Sequence, residues 1–258
     1  MTTKTNSTDH ALANILLNVI IPVVILSFLS KDPAVQEQLH RVAKPWHIGP
    51  VKALVVALAF PAGYGVWHFV KTRKGNLFSV IGLISVMLSG GLTLYLWNKN
   101  GTVKPHAGFL FGLKEASIPF ILGIAILASQ RSATPLIRVF LYNDTIFDIL
   151  KIEARIAELS AQSAYNSLLR GATRLFATSF FLSSLMNLCL ARWFFRGFNA
   201  TAIDALETYN SIIAKVTGWA FAIIGVPVVI FLLLTLRQLL KSLGKLTGFT
   251  DEEMMLPR

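Results

Sequence analysis

Cysteine and charge are both scarce in this sequence, and each shortage excludes a class of protein. The single cysteine, Cys189, has no partner for an internal disulfide and no second thiolate for a metal cluster. Charged residues make up only 14% of the 258 positions, whereas 54% are hydrophobic, and the mean hydropathy is +0.60. Soluble domains and disordered chains both carry more charge than this. The composition therefore predicts a membrane protein.

Long apolar runs fill the chain instead. We predict an all-α, polytopic integral membrane protein with six transmembrane helices, at residues 11–30, 49–70, 76–98, 107–130, 172–195 and 214–236. Each run reaches the length of about 20 residues that a helix needs to cross hydrocarbon, and lipid cannot satisfy the backbone of anything but a helix or a closed barrel. We expect the first run to be a retained helix and residues 1–258 to form a single membrane domain.

Acidic residues are also scarce, with 13 against 24 basic residues and a formal charge of +11. The basic residues occur in ones to threes near span ends and form no basic face with interleaved aromatics, so we expect no nucleic acid partner. If both termini are inside, the inner segments hold 14 basic residues and the outer segments nine. Because basic residues favour the cytoplasmic side, this division predicts cytoplasmic N- and C-termini.

Two outer connectors carry signals for the start of a helix. Asp32-Pro33 predicts a short helix, because proline suits the first helical position and aspartate suits the positive end of the helix dipole. Thr201, with Asp204 three residues later, predicts a capping-box-like start before span six. The residues expected on the apolar face of the first of these helices are Val35, Leu39 and Val42.

The inner connector at about 145–170 has a helical pattern of its own. Its apolar residues recur on one face and its charged residues on the other, so we predict a short amphipathic helix on the cytoplasmic surface. Just before it, Asn143, Asp144 and Asp148 are expected to form a turn or cap a helix. The apolar positions are Ile149, Ile152, Ile156 and Leu159.

Lys114 and Glu115 are charged residues inside predicted span four. A charge within a membrane costs free energy unless it has a partner or a water-filled path. Their place near the outer end lets Lys114 extend towards the headgroups, whereas the shorter Glu115 needs water, a donor or a proton. Two roles stay open for Glu115, a functional one and a structural pair near the outer surface.

Polar and small residues form seams along several predicted spans. Such seams pack helices together in many membrane proteins, and they also line solute paths between broken helices, so both interpretations stay open. Within span one the seam has i, i+4 spacing, and span five repeats that spacing from Ser179. Our candidates for a substrate pathway are Asn14, Asn18, Pro22, Tyr64, Ser85, Lys114, Glu115, Ser183 and Asn187.

Two short strings echo one another, Ile21-Pro22 in span one and Ile118-Pro119 in span four. Three helices per half would place the halves in opposite orientations, which is the 3+3 inverted repeat common among transporters.

Motifs for catalysis and metal binding are missing from the sequence. It contains no phosphate-binding loop, no His-Glu-x-x-His, no Gly-x-Ser-x-Gly and no paired carboxylates, so we expect no enzyme, no catalytic residue and no cofactor. His40, His47 and His106 fall in outer segments, but their spacing matches no metal-ligand pattern. We predict surface histidines there and no metal site.

Several strings together resemble a known group of proteins. They are Asn18-Val-Ile-Ile-Pro22, Pro61-Ala-Gly63-Tyr64-Gly65, Lys114-Glu115-Ala-Ser117-Ile-Pro119 and Tyr142-Asn143-Asp144. With them the chain resembles a family of uncharacterised bacterial six-span inner-membrane proteins near intracellular septation protein A. The resemblance covers nearly the whole chain and implies a multi-pass protein of the bacterial inner (plasma) membrane, but no activity. The chain departs from the major facilitator pattern, because residues 71–74 lack the Gly-x-x-x-Asp-Arg-x-Gly-Arg-Arg string.

Two functions follow as hypotheses. The first is a transporter- or channel-like protein for a small solute or lipid, motivated by the polar seams, the prolines and Glu115. The alternative is a non-catalytic scaffold of the cell envelope or of septation, whose seams only pack helices. The partners we expect are the lipid bilayer, a small solute or lipid, and a second copy of the chain in a homodimer.

Overall fold

A computed structural model describes residues 16–72, 88, 91–98, 102–131, 135–144 and 146–256. Within these ranges the secondary structure is helical, with two isolated β-bridges and no strand. The prediction of an all-α fold is therefore confirmed.

The described residues form nine α-helices with defined bounds. In chain order they are α1 (Ile21–Phe28), α2 (Pro33–Gln38), α3 (Pro50–Thr72), α4 (Ala107–Ala128), α5 (Leu136–Phe140), α6 (Ile149–Glu158), α7 (Gln162–Phe194), α8 (Ala205–Ala220) and α9 (Val226–Thr247). Residues 91–96 are also helical. Two π-helical turns, Leu16–Ile20 and Phe221–Gly225, lead directly into α1 and α9.

Four helical stretches of the described chain are long and apolar enough to cross a membrane. They are Pro50–Trp67, Ala107–Ala128, Gln162–Phe194 and Ala205–Thr247. They overlap predicted spans two, four, five and six, although the last two begin about ten residues earlier than predicted, and they support the membrane class of the protein. Predicted spans one and three, 11–30 and 76–98, lie partly outside the described residues.

The chain divides into two compact units. Unit 1 consists of residues 1–115 and 187–222, and unit 2 of residues 116–186 and 223–258. The single membrane domain expected from the sequence stays a prediction.

Prolines mark the positions where the helices change register. Pro22 follows the first π-helical turn and Pro227 follows the second, each by two residues. A proline has no N–H to donate to the preceding turn, and the wider π-helical register is one way in which a helix accommodates the missing hydrogen bond. Pro61 and Pro119 lie inside α3 and α4, where they remove one hydrogen bond from each helix.

Small residues bring the helices of unit 1 together. Ala53, Ala57 and Ala214 are buried between α1, α3 and α8. In α4, a β-carbon on Gly108 would lie 2.6 Å from Cγ of Phe195, and one on Gly112 would lie 2.9 Å from Cβ of Ala191. Gly108 and Gly112 are four residues apart, the small-xxx-small spacing that lets membrane helices approach closely. Contact between α4 and α7 in this unit therefore depends on glycine.

Unit 2 has a larger apolar core with aromatic residues. Its buried side chains come from the end of α4, from α5, α6, α7 and α9, from the connector between α5 and α6, and from the C-terminal tail. They include Ile126, Ile137, Tyr142, Phe147, Ile152, Ile156, Tyr165, Phe176, Leu239, Leu243 and Met254. Asp148 N–H donates to the Met254 carbonyl at 2.9 Å, and Leu256 N–H donates to that of Ile146 at 3.0 Å. The C-terminal tail thus packs along the start of α6.

The predicted amphipathic helix is α6, and its apolar face contacts protein. Ile152 and Ile156 are fully buried in the core of unit 2, while Leu150 is 82% exposed. Asp148 caps the helix by accepting the N–H of Lys151 at 3.0 Å, and Asn143 accepts that of Ile146 at 3.1 Å, so the cap and turn predictions are confirmed. The helix ends at Glu158, so Leu159, which was predicted on the apolar face, lies beyond the helix and is 44% exposed; that part of the prediction was wrong. Residues 162–170 belong to α7. Its place on the cytoplasmic surface stays a prediction.

The two outer helix starts turned out differently. Asp32 caps α2 as predicted, accepting the N–H of Ala34 at 3.0 Å. The predicted apolar face was wrong, because α2 ends at Gln38 and buries the polar Gln36, while Val42 is 79% exposed. The capping box at Thr201 was also wrong. Helix α8 begins only at Ala205, after Asp204, whose carboxylate pairs with Arg41 at 3.2 Å instead of capping the helix.

Candidate functional site

Three connectors of unit 1 converge, although they are far apart in the sequence. Val103 N–H donates to the Ala200 carbonyl at 2.9 Å, which joins the connector before α4 to the one before α8. The first connector reaches the same place, where Arg41 pairs with Asp204. All three are segments that the sequence predicts for the outer side of the membrane.

Glu207 is the buried acceptor at the centre of this convergence. It lies in the first turn of α8 and is only 8% exposed. One carboxylate oxygen accepts the backbone N–H of Asp32, and the other accepts the side-chain amide of Gln36 at 2.8 Å. A buried carboxylate needs such donors, because burial without them costs several kcal/mol. This requirement explains why α2 turns Gln36 inward.

Asn210, one turn further along α8, makes a second connection of this kind. It is fully buried, and its amide donates to the Ser30 hydroxyl at 3.0 Å and to the Pro50 carbonyl at 2.9 Å. Helix α8 therefore holds both ends of the first connector through polar side chains.

A cavity of about 660 Å³ opens among these connectors. Small-molecule sites usually have volumes of about 300–1,000 Å³ and combine apolar walls with a few polar groups. The polar residues of the wall are Asp32, His47, Lys52 and Glu207, and the apolar ones include Val35, Ile48, Trp97, Ile203 and Leu206.

His47 is the most unusual residue of this wall. It is only 7% exposed, so the prediction of a surface histidine was wrong at this position, whereas His40 and His106 are exposed. Its Nδ1 accepts the backbone N–H of Lys44 at 3.1 Å, so in the neutral ring the proton sits on Nε2. Burial lowers the pKa of His47, and the positive charges of Lys31 and Lys44 lower it further. The ring is therefore neutral at pH 7.

No group of three or more His, Cys, Asp or Glu side chains in the described part of the chain could hold a metal ion.

The predicted pathway residues of the first three spans are only partly described. Asn14 and Ser85 lie outside the described residues, and of Asn18 only the backbone, in the first π-helical turn, is described. Pro22 occupies the first turn of α1. Tyr64 lies in α3, with its ring 5.9 Å from that of Trp67.

Lys114 and Glu115 form an ion pair with one another. The Lys114 side chain is only 9% exposed and that of Glu115 29%, and the Lys114 ammonium lies 5.2 Å from the centre of the Phe111 ring. This is the structural pair that the sequence analysis left open as one role of Glu115.

Ser183 and Asn187 lie one turn apart on α7, both partly buried, with Ser183 in unit 2 and Asn187 in unit 1. Ser179 precedes them on the seam and donates to the Phe176 carbonyl of its own helix at 2.7 Å. That bond is typical of packing. Among the described residues, none of the nine predicted pathway positions lines the cavity of unit 1.

Sequence reasoning missed the polar residues that build the converged connectors. Gln36, Glu207 and Asn210 gave no local signal, because their partners are more than 150 residues away. One signal could have been found in the sequence. The predicted start of span six was 214, but the helix begins at Ala205 and includes Glu207, so a carboxylate lies at the start of a membrane helix.

Comparison with models of protein families, with curated proteins and with solved structures finds no match to this chain.

Proposed function

We propose that the protein is a six-span, transporter- or channel-like protein of the bacterial inner membrane that handles a small solute or lipid. It would be neither an enzyme nor a nucleic acid binder, it would keep both termini in the cytoplasm, and its helices would form a 3+3 inverted repeat. A homodimer is the assembly in which we expect it to work.

The contacts among the connectors support six crossings. Segments that touch outside the hydrocarbon lie on the same side of the membrane. The chain leaves the side of the connectors through α3, and Trp97 is again in contact with the connector before α4. Two crossings, by predicted spans two and three, would account for this return. In unit 2, the connector containing α6 contacts the C-terminal tail, which supports a common side for those two segments.

The observation that carries the transport proposal is the cavity of unit 1. It combines carboxylates, an ammonium and a buried imidazole, and a scaffold has no need of such a lining. The π-helical turn Leu16–Ile20 adds to this, because it contacts α3 and α8, and π-helical turns are frequent at functional sites.

A flux assay in reconstituted liposomes tests the proposal. Wild-type protein is compared with Glu115→Gln for a panel of cationic, anionic, zwitterionic and neutral solutes, with Glu158→Gln as a control at an exposed, ion-paired glutamate. We expect flux of at least one solute class, lower flux in Glu115→Gln and unchanged flux in the control. Folded wild-type protein that moves none of these classes would contradict transport.

The alternative, a scaffold of the cell envelope or of septation, is favoured by one specific observation. The buried hydroxyls of Thr173, Ser179, Thr235 and Thr247 all donate to carbonyls of their own helices. Polar residues of that kind pack helices and line no path. A scaffold predicts loss of a protein partner, and no change in flux, when exposed connector residues are replaced.

A further inference from the structure

Some polar groups in the wall of the unit 1 cavity form no hydrogen bond with described protein residues and are available to a ligand. Asp32 uses Oδ1 to cap α2, and its Oδ2 has no donor among the described residues. Oδ2 lies 3.7 Å from where a β-carbon on Gly49 would be, and both residues line the cavity. One carboxylate oxygen is therefore free to accept a hydrogen bond from a ligand.

The same wall holds two unused donors. Nδ1 of His47 is occupied by the Lys44 N–H, so the remaining proton is on Nε2, which has no acceptor in the described part of the chain. The ring is more than nine-tenths buried, but Nε2 is not among the side-chain atoms that are both enclosed and unbonded, so it stays accessible from the cavity that His47 lines. Lys52 lines the cavity as well, and its ammonium forms no ion pair with any described residue.

The unused groups therefore have opposite requirements. The Asp32 oxygen accepts from a positively charged donor, and the nearby Glu207 carboxylate, bonded to Asp32 N–H, adds negative charge. The His47 N–H and the Lys52 ammonium instead require an anionic or strongly accepting oxygen. Val35, Ile203 and Leu206 supply apolar surface for the rest of a ligand.

We infer that this cavity binds a zwitterion that carries a primary ammonium, an anionic carboxylate or phosphate oxygen, and a small apolar group. The ammonium contacts Asp32, the anionic oxygen contacts His47 and Lys52, and the apolar group lies against Val35 and Leu206. The role of this site in transport rests on the proposed function, because the zwitterion would be the class of solute that the protein moves. Both an α-amino acid and an ethanolamine phospholipid headgroup have this chemistry.

Binding to the full-length protein in phosphatidylcholine nanodiscs, followed by isothermal titration calorimetry, tests the inference without any flux. The soluble probes are leucine, which carries both charges, 3-methylbutylamine, which carries only the ammonium, and 4-methylpentanoate, which carries only the carboxylate. The lipid probes are dihexanoyl phosphatidylethanolamine and its phosphatidylcholine counterpart, which has no N–H to donate. We expect leucine or the ethanolamine lipid to bind, with the single-charge or N-methylated analogues weaker by about tenfold or more.

Asp32→Asn is the decisive variant, because asparagine caps a helix as well as aspartate but lacks the charge. We expect it to weaken binding by about tenfold while the protein stays folded, and Lys52→Gln to weaken binding as well. Glu37→Gln, which removes an exposed carboxylate from the same connector, should leave binding unchanged.

The possible outcomes separate cleanly. Binding of leucine but not of the ethanolamine lipid assigns a soluble ligand, and the reverse assigns a lipid headgroup. Folded protein that binds neither, or that binds 3-methylbutylamine as tightly as leucine, overturns the inference. Binding without flux would contradict transport alone, whereas flux that is unchanged in Asp32→Asn and Lys52→Gln would contradict this site alone.

Discussion

Units 1 and 2 bury different kinds of polar group. Among the described residues of unit 2, the buried polar ones all carry hydroxyls, namely Thr173, Ser179, Ser184, Thr235 and Thr247. Four of these donate within their own helix, and Ser184 donates to the Ala116 carbonyl on α4. Unit 1 buries the hydroxyl residues Ser30 and Thr93 too, but it also buries a carboxylate, two amides and an imidazole, in Glu207, Gln36, Asn210 and His47. Several of their hydrogen bonds join residues 160 or more positions apart.

This difference distinguishes polar residues that only pack helices together from polar residues that build a site. A hydroxyl that bonds its own helix adds little specificity, because the same helix satisfies it in any arrangement. Amides and carboxylates buried against distant segments leave costly unsatisfied groups if the arrangement changes. Unit 1 therefore has a defined polar architecture around a cavity, whereas unit 2 is held chiefly by apolar contacts.

The largest effect that this contrast predicts is in unit 2. Ile152→Ala should lower the free energy of unfolding by about 2–5 kcal/mol, because the side chain is fully buried against other helices. Leu150→Ala, two residues away and 82% exposed, should change it little. Thermal unfolding in detergent micelles measures both. Equal effects of the two variants would mean that the apolar face of α6 does not pack on protein.

In unit 1 the corresponding variant is Glu207→Ala. It leaves the Asp32 N–H and the Gln36 amide without their acceptor, so we expect a loss of about 2–3 kcal/mol. Glu37→Ala, an exposed carboxylate on the same connector, serves as the control in the same unfolding assay and should stay within about 0.5 kcal/mol of wild type. Equal losses of stability in the two variants would contradict the role of Glu207 as the acceptor that holds the first connector.

A smaller effect tests the glycine contact between α4 and α7. Gly112→Ala should destabilise the protein by about 1–2 kcal/mol, because the added methyl group would lie 2.9 Å from Cβ of Ala191. Gly171→Ala has no atom within 4 Å of the added group and lies in a helix, so it should stabilise by about 0.5–1 kcal/mol. Unfolding temperatures that shift in the same direction would contradict the close approach at Gly112.

The smallest effect is a pH dependence localised to unit 1. Because the pKa of His47 in the folded protein lies below the ordinary histidine value of 6.5, the folded state binds fewer protons than the unfolded state. Stability should therefore fall as the pH drops below about 6.5. His47→Asn keeps an acceptor for the Lys44 N–H and should reduce this dependence. His40→Asn, at an exposed position with a φ of 52°, should leave it unchanged. The measurement is the unfolding temperature of wild type and of both variants at pH 7.5 and 5.5. An equal pH dependence in wild type and His47→Asn would contradict the prediction.

Local signals in the sequence were sufficient for four long apolar helices and for several helix ends. The caps at Asp32 and Asp148 and the inward face of α6 at Ile152 and Ile156 depend on residues within one or two turns, and the structure has them as predicted. The Gly108-xxx-Gly112 spacing was equally readable but was overlooked. The inward turn of Gln36 was not predictable, because it depends on Glu207, 171 residues away. The burial of His47 likewise depends on how three separate connectors meet.

The most direct test of the account is the side of the membrane on which the connectors lie. Single cysteines introduced by Glu37→Cys, Thr102→Cys and Asn199→Cys, in a Cys189→Ser background, are labelled with a membrane-impermeant maleimide in intact spheroplasts. We predict that all three react from outside, and that Asp251→Cys in the C-terminal tail reacts only after the membrane is permeabilised. If one of the three connector sites were labelled only from inside, or Asp251→Cys from outside, the converged outer connectors and the site built on them would be contradicted.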